Sequence, residues 1–384
     1  MSLRKNISTL IGRMEKDFKT QNRVEVSASA LLSNVDFFAE KTNKNIVPVL
    51  KGNAYGHGIE HVARVLRGRK LPYIAVDGYF EALRIREVSP QPVLVMGAIA
   101  PENFAQLKYD NFAFVVGDMQ TIDALAKTGK RINVHLECNT GMNRYGARPA
   151  DMTALTERIM GYKNLTLEGV MSHLADSDGD DAATVDAAVQ KFDECVEAVR
   201  AAGASPTMFH VAQSAGSMKA RSQYADTIRL GIGLYGINPF PPDHALYHSL
   251  DGLRPALKLI STITKTINLK KGESVSYNYT FTAPCDMKIG ILPLGYYEGV
   301  NRALSNSGVV KIGSSYAPIV GRVCMNHTMI SLDGIDAVAG DEVVVYSDLP
   351  SDENSINNLA HKHGLFNYGM LTAINQDVRH VATP

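Results

Sequence analysis

The chain is poor in cysteine and carries no pattern that would direct it to a membrane, to nucleic acid or to a structural metal. Its four cysteines are far apart, without a CxxC pair or zinc-ligand spacing, so free thiols in a reducing cytoplasm are expected. No apolar run is long enough to span a membrane. Lysine plus arginine and aspartate plus glutamate both number 39, so no excess charge favours nucleic acid or an anionic membrane surface as a partner.

The N-terminal segment also lacks the apolar core of a signal peptide. Residues 1–22 carry scattered lysines and arginines, while Leu10, Ile11, Met14 and Phe18 recur at helical spacing. This pattern predicts an N-terminal helical extension, exposed or partly docked, in front of the first domain.

The first large domain is predicted from short apolar runs that alternate with amphipathic helical stretches. Near-continuous apolar strands joined by helices are typical of a parallel sheet. Eight such units predict a (β/α)8 TIM-type barrel over residues 23–245, with a doubly wound open sheet as the alternative, because periodicity does not show closure. The predicted strands are Ile46–Leu50, Tyr73–Val76, Pro92–Met96, Phe112–Val116, Ile132–Leu136, Leu167–Met171, Met208–Val211 and Thr227–Leu230.

The pattern changes after a loop that contains three prolines, and residues 246–384 predict a C-terminal β-domain. Runs rich in β-branched residues follow one another there, separated by glycine, proline, asparagine and aspartate. The first run, Leu257–Ile267, is interpreted as one long strand. The further predicted strands are Ser274–Tyr277, Ile289–Leu292, Val309–Ile312, Ile319–Val323, Met329–Leu332 and Val343–Tyr346.

The strongest chemical signal is the string VLKGNAYGHG, residues 49–58, at the end of the first barrel strand. Lys51 stands at the C-terminal end of that strand, on the face where such barrels build active sites. Its apolar surroundings favour a neutral amine that can form a Schiff base. The alternative for an isolated lysine is a surface residue that ends a strand, but the three glycines of this string allow a sharp turn into the next helix.

At this string the chain resembles the alanine racemases, which are fold-type-III enzymes that use pyridoxal 5'-phosphate (PLP). The resemblance extends from about Asn22 to Asp377. Further motifs occur in the family's order: ECNTGMNRYG from residue 137, SH from 172, QSAG from 213, RLGI from 229, VSY from 275, GYYEG from 295, GRVCM from 321, and Tyr368. The resemblance implies a PLP-binding barrel followed by a β-domain, in a homodimer with shared active sites that acts on a small amino-acid substrate.

The resemblance also implies which residues hold the cofactor, with Lys51 as its covalent anchor. Arg229 looks like the arginine that faces the pyridine nitrogen, and His173 like the residue that orients Arg229. A guanidinium keeps its proton, so it donates a hydrogen bond and leaves the ring nitrogen unprotonated. Such a ring is a weaker electron sink, which favours return of the proton to Cα over transamination. The phosphate cradle would consist of Tyr55, Ser214, Gly231, Ile232 and Tyr368.

Racemisation needs an acid or base on each face of a planar intermediate. By resemblance Lys51 serves one face and Tyr277, contributed by the other subunit, serves the second. On spacing alone Tyr279 competes for that role. The residues that resemble the family's substrate-binding positions are Arg144, Met325 and Tyr296.

Three departures from the family's pattern concern the residues around the substrate. Glu137 stands where the family commonly has a lysine that can be carbamylated, so the carboxylate is expected to fix Arg144 without carbon dioxide. Asn326 replaces a usual aspartate, which predicts easier approach of another anion. Gln213 replaces an asparagine, and the C-terminal RHV from residue 379 lacks the family's final tyrosine.

The sequence therefore predicts a PLP-dependent racemase that interconverts L- and D-alanine. A broader-specificity or serine-directed racemase on the same scaffold is the near alternative. A PLP decarboxylase is disfavoured by Arg229 and by the tyrosine of the VSY motif. A non-catalytic PLP carrier is disfavoured by the presence of a whole β-domain that carries Tyr277 and Met325.

Overall fold

The computed structural model describes residues 19–108 and 111–384, which form two compact units. The barrel unit comprises Val26–Leu257, Asp348–Thr372 and Ala382–Pro384. The β-unit comprises the described residues up to Glu25 together with Lys258–Ser347 and Ala373–Val381. Residues 348–372 therefore belong to the barrel unit, although the sequence boundary at 246 assigns them to the β-domain. The predicted helix of residues 1–22 lies almost wholly outside the described residues.

The first described strand, Arg23–Ser27 (β1), pairs within a sheet of the β-unit and precedes the barrel. Eight parallel strands then follow, each close to its predicted position. A strand that helices bury on both faces is a continuous apolar run, which can be recognised in the sequence. They are Asn45–Pro48 (β2), Ile74–Val76 (β3), Val93–Val95 (β4), Phe112–Val116 (β5), Ile132–Glu137 (β6), Leu165–Met171 (β7), Met208–His210 (β8) and Thr227–Leu230 (β9).

These eight strands pair in a closed circuit. Strands β3 to β8 form one parallel sheet, and β2 pairs with β9. The two sheets are joined at both edges, by a parallel bridge between Val49 and Ala75 and by another between Gln213 and Arg229. The predicted (β/α)8 barrel is therefore confirmed, and the open doubly wound sheet is wrong because no strand is left as an edge.

Helices connect the barrel strands and cover them. The helices of the barrel unit are Ala28–Thr42 (α1), Ile59–Leu66 (α2), Tyr79–Val88 (α3), Met119–Lys127 (α4), Met152–Met160 (α5), Ala182–Ala201 (α6), Gly216–Lys219 (α7), Ile356–His363 (α8) and Asn367–Thr372 (α9). The longest, α6, starts at Asp181, whose side chain accepts the N–H of Ala183, and buries its apolar face through Val185, Val189 and Phe192. No described helix has the length and apolar character that crossing a bilayer would require.

The β-unit contains a six-stranded sheet, a three-stranded antiparallel sheet and a short ribbon. The six-stranded sheet has the order Ser315–Pro318 (β16), Val309–Ile312 (β15), Glu342–Tyr346 (β18), Leu257–Thr262 (β10), β1 and Arg379–Thr383 (β19). The three-stranded sheet consists of Lys265–Leu269 (β11), Met287–Leu292 (β14) and Thr328–Ser331 (β17), and the ribbon of Ser274–Val275 (β12) and Phe281–Thr282 (β13). The predicted C-terminal β-domain is therefore confirmed.

Two predicted strands of this unit are wrong. Leu257–Ile267 is not one strand, because the chain changes sheets in its middle: β10 pairs with β18, while β11 pairs with β14. Ile319–Val323 does not continue β16, because Gly321 adopts a left-handed conformation with φ of 74°. Its N–H then bonds to the side-chain oxygen of Asn306 at 2.6 Å instead of a neighbouring strand.

Candidate active site

A cavity of about 850 Å³ opens at the C-terminal ends of the barrel strands. The structure brings together around it all ten predicted site residues that lie in the barrel unit, from six different motif segments of the chain. They are Lys51, Tyr55, Glu137, Arg144, His173, Ser214, Arg229, Gly231, Ile232 and Tyr368. The strand ends of a (β/α)8 barrel are where its active sites are built, so this cavity is the candidate site.

Lys51 enters the cavity from an unusual turn after β2. Gly52, Asn53, Ala54 and Tyr55 all have left-handed backbone angles, with φ between 51° and 64°. Such a conformation costs about 1–2 kcal/mol for each non-glycine residue. The Oδ1 of Asn53 helps to hold the turn by accepting the N–H of Ile59 at 3.1 Å. The turn sets the Nζ of Lys51 3.9 Å from Asp77 in a half-exposed position.

Arg229 is buried in the barrel, with 2% of its surface exposed, and its guanidinium is fixed by the ends of β7 and β8. Nη1 donates to Nδ1 and to the carbonyl of His210, at 2.9 and 2.6 Å. Nη2 donates to the carbonyl of Ser172 at 2.5 Å and to Nδ1 of His173 at 3.1 Å. Burial lowers the pKa of Arg229 to about 10, against the opposing charge of Glu137, so the group remains a cation at neutral pH.

His173 is a neutral imidazole beside this cation. Burial, with the charges of Arg229, Arg144 and Lys51, lowers its pKa to about 3. Because a guanidinium can only donate, Nδ1 of His173 is the acceptor and the proton lies on Nε2. The contact between His173 and Arg229 that the sequence predicts is therefore present.

One wall of the cavity offers hydrogen-bond donors without a lysine or arginine. Burial raises the pKa of Tyr55 to about 12, and it raises the pKa of Tyr368 as well, so both hydroxyls keep their protons. At Gly231 a Cβ atom would lie 2.9 Å from the hydroxyl of Tyr55, so only glycine leaves this corner open. Ser214 and the start of a 3₁₀ turn at Ile232 complete the wall. Hydroxyls and backbone N–H groups of this kind bind phosphate.

Glu137 and Arg144 face the same cavity. Burial raises the pKa of the Glu137 carboxyl, while the positive charges of Arg229 and Arg144 oppose that shift. Within the described residues, however, no ion pair shorter than 4.0 Å joins Glu137 to Arg144. The carboxylate therefore acts on both arginines through the electrostatic field of the cavity.

The remaining predicted residues, Tyr277, Tyr296, Met325 and Asn326, lie in the β-unit with exposed side chains. The predicted strand around Tyr277 ends at Val275, because Ser276 has a φ of 66° and begins a 3₁₀ turn. The hydroxyl of Ser276 donates to the carbonyl of Arg322 at 2.7 Å, which ties this turn to the loop that carries Met325.

Glu298 organises the loop around Asn326 and was missed as a site residue, although it lies within the GYYEG motif. Its Oε1 accepts the side-chain amide of Asn326 at 2.6 Å, and its Oε2 accepts the N–H of Gly295 at 2.7 Å. The N–H of Tyr297 bonds to the carbonyl of Met325 at 2.9 Å. An amide at position 326 therefore suits this loop, because the usual aspartate would meet the Glu298 carboxylate.

Two family models match the chain: the alanine racemase N-terminal domain over residues 26–239, and the alanine racemase C-terminal domain over residues 256–382. The chain belongs to the alanine racemase family. It is thus an amino-acid racemase. A relative from Caldanaerobacter subterraneus subsp. tengcongensis, "Alanine racemase 2", is 32% identical over 349 residues, which are 88% of this chain and 89% of the relative.

Solved structures of related racemases share the whole architecture. Alanine racemase from Bacillus anthracis with bound L-Ala-P matches with a TM-score of 0.86 and 28% identity, over 96% of both chains. Histidine racemase from Leuconostoc mesenteroides subsp. sake matches with a TM-score of 0.84 and 25% identity, over 95% of this chain and 98% of that one. The scaffold of the alanine racemase family thus also occurs in a histidine racemase.

The pairing of Glu298 with Asn326 gives a prediction for this family member. Asn326→Asp should destabilise the β-unit by about 1 kcal/mol at neutral pH, because a donated hydrogen bond is replaced by two facing carboxylates. Thermal unfolding of the parent and the variant at neutral pH measures this loss.

The double variant Asn326→Asp with Glu298→Gln is the control, because the amide is then on the other partner. It should recover most of the lost stability. An Asn326→Asp protein as stable as the parent at neutral pH would show that this hydrogen bond does not organise the loop.

Proposed function

We propose that this racemase is PLP-dependent and interconverts L- and D-alanine as a homodimer. The observation that carries the proposal is the single cavity that unites a strand-end lysine, a buried arginine and a wall of uncharged donors. The lysine fits the carbonyl carbon of the cofactor, the arginine fits its ring nitrogen, and the donor wall fits its phosphate. When bound, PLP supplies an electron sink that stabilises negative charge at the Cα of the amino acid.

The residues of the chain each have a definite part in this scheme. Lys51 would hold the cofactor and move a proton at Cα on one face. Tyr55, Tyr368, Ser214 and the backbone at Gly231 and Ile232 would bind the phosphate. Arg229, protonated and unable to accept a hydrogen bond, would keep the ring nitrogen unprotonated. Arg144 would bind the substrate carboxylate or orient the ring oxygen.

A second acid or base is needed on the opposite face of Cα. We assign this role to Tyr277 of the partner subunit, with the backbone of the partner's Met325 on the substrate carboxylate and the partner's Tyr296 at the entrance. Their exposure on the surface of the β-unit supports the assignment, since these side chains are available to a second copy. The free state of all four cysteines agrees with an enzyme of the reducing cytoplasm.

The experiment is chiral analysis of the product after the protein, loaded with PLP, is incubated with L-alanine, L-serine and L-histidine separately. D-alanine should form fastest. Faster racemisation of serine or histidine would overturn the assignment to alanine and point to a broader or different substrate range. Absence of a D-product from all three would overturn the proposed function.

The proposal also predicts a catalytic effect of the charge on Glu137. Glu137→Gln keeps the shape and removes the negative charge near Arg144 and Arg229, so the electrostatic field on both arginines weakens and kcat/KM should fall, by less than the about 1.5 kcal/mol that loss of a direct charge-assisted hydrogen bond would cost. The parent should show no dependence on bicarbonate. Glu137→Lys should regain activity only when carbon dioxide is supplied, because a carbamate restores the anion.

Steady-state kinetics with and without bicarbonate measure these effects. Full activity of Glu137→Gln under both conditions would show that the carboxylate does not serve the arginines of the cavity.

A further inference from the structure

A series of polar side chains runs from Arg229 through the interior of the barrel, away from the cavity, and ends at the half-buried Glu168. Nη1 of Arg229 contacts Nδ1 of His210 at 2.9 Å, and Nε2 of His210 contacts Nδ1 of His135 at 2.8 Å. Nε2 of His135 is buried and lies 3.4 Å from Oε2 of Glu168. The hydroxyl of Tyr73 donates to the same carboxylate.

The two ends of this series, Arg229 and Glu168, determine which atom is the donor and which the acceptor at each of its contacts. A guanidinium can only donate, so Nδ1 of His210 accepts and its proton lies on Nε2. That proton points at His135, whose Nδ1 therefore accepts and whose remaining proton lies on Nε2. This last proton faces Glu168, an acceptor when ionised. The donor at one end and the acceptor at the other thus require the same tautomer in both histidines, with Nδ1 unprotonated and Nε2 protonated.

The backbone is built around this chain. At Gly169, next to Glu168, a Cβ atom would lie 2.3 Å from Nδ1 of His135, so the imidazole occupies the space of a missing side chain. The register between β6 and β7 shifts at this point: Val134 pairs with Leu167, but His135 pairs with Gly169. The shift leaves Glu168 out of the ladder, in reach of both His135 and Tyr73.

The charge states agree with the same arrangement. Burial, together with the charge of Arg229, lowers the pKa of His210 well below its usual value, so its ring is neutral. Burial alone would raise the pKa of Glu168, but the nearby imidazole of His135 and the hydrogen bond from Tyr73 lower it below its usual value. With Nδ1 of His135 accepting from His210, the series therefore joins the Arg229 cation to the Glu168 anion through two imidazoles that polarise in the same direction.

We propose that His135 and Glu168 are positioning residues that supply Arg229 with a counter-charge through His210 and so hold its guanidinium toward the cavity. A fully buried cation needs such compensation. The catalytic consequence rests on the proposed function. The Glu168 carboxylate, acting through His135 and His210, would weaken the hydrogen bond that Arg229 donates to the ring nitrogen of the cofactor. Loss of the carboxylate would strengthen donation to the ring nitrogen.

The test uses Glu168→Gln, His135→Asn and the double variant, with Asp123→Asn as the matched control. Asp123 is a carboxylate with 27% side-chain exposure, against 26% for Glu168, and it too accepts from a cation and a tyrosine, Arg158 and Tyr162. It lies on the helical surface and has no contact with the chain from Arg229 to Glu168.

The first readout is the ¹⁵N spectrum of histidine-labelled protein. His210 and His135 should each show an unprotonated Nδ1 and a protonated Nε2 at neutral pH, assigned by their own variants. The opposite tautomer, or a doubly protonated ring, in either residue would overturn the proposal. This readout does not require the cofactor, so it decides the arrangement even if the proposed function fails.

The second readout is the ¹⁵N signal of the pyridine nitrogen in labelled PLP bound to the holoenzyme. In Glu168→Gln and in His135→Asn it should move toward the value of a protonated ring nitrogen, while Asp123→Asn leaves it in place. In both Glu168→Gln and His135→Asn, kcat should fall by roughly 2- to 30-fold with little change in KM. The double variant should add nothing to either single one, because each interrupts the same chain.

Gly169→Ala interrupts the chain without replacing any charged residue, because the new Cβ displaces His135. The folded fraction of the Gly169→Ala protein should show the same shift of the ring-nitrogen signal as Glu168→Gln. Suppose that the parent protein binds PLP and racemises alanine, but Glu168→Gln and His135→Asn show the same ring-nitrogen signal and the same kcat as Asp123→Asn. That result would overturn this inference and leave the proposed function intact.

Discussion

Replacement of Lys51 by alanine is expected to abolish racemisation, with a loss of at least roughly 10²–10⁴-fold, because in the proposed function this one residue would supply both the covalent anchor and one of the two bases. Borohydride treatment of the parent with PLP should attach the cofactor to one peptide, residues around Lys51. Loss of that label in Lys51→Ala, measured by mass spectrometry, accompanies the loss of activity.

Lys44→Ala is the matched control for this prediction. Lys44 lies just before the opposite end of the same strand, and burial lowers its pKa, so it is also a candidate for a reactive amine. Position distinguishes the two, since barrel active sites lie at the C-terminal ends of the strands. Label on a peptide around Lys44, or activity retained in Lys51→Ala, would contradict the assignment of Lys51.

The barrel could be predicted from the sequence because each of its strands has a local signature. Phe112–Val116 and Thr227–Leu230 were predicted with their observed bounds, since a buried parallel strand is a short apolar run between helices. Closure could not be predicted in that way. It depends on the bridges of Val49 with Ala75 and of Gln213 with Arg229, which join residues that no local pattern connects.

The residues at the mouth of the barrel were found through motifs, whereas the polar residues behind them were not. His135 and Glu168 lie in apolar strands, where a single polar side chain is usually a satisfied structural group. Their meeting depends on the register shift at Val134 and on the missing side chain of Gly169, which only the folded chain reveals. The break of Leu257–Ile267 into two strands also depends on contacts between distant residues, because its first half pairs with β18 and its second half with β14.

Tyr277→Phe is the other substitution with a large expected effect. It removes the hydroxyl that would move a proton on the second face of Cα, so racemisation should slow in both directions by roughly 10²-fold or more. In deuterated water the exchange of the Cα proton should be lost more severely from one enantiomer than from the other, because Lys51 would still serve its own face. Chiral chromatography with mass detection measures both.

Tyr279→Phe is the matched control, since Tyr279 belongs to the same 3₁₀ turn and is similarly exposed. It should leave both rates near those of the parent. Equal and near-normal exchange from both enantiomers in Tyr277→Phe, with a large loss in Tyr279→Phe, would transfer the role of second base to Tyr279.

Mixed dimers of Lys51→Ala and Tyr277→Phe test whether the tyrosine is supplied by the partner subunit. If each site combines Lys51 of one subunit with Tyr277 of the other, a mixed dimer has one site with both changes and one site with neither. Random exchange of subunits makes half of the dimers mixed, so about one quarter of the parental activity should return from two nearly inactive proteins. If both residues of a site came from one subunit, every site would carry one of the two changes and mixing would restore nothing. The recovered activity thus distinguishes a shared site from two independent ones.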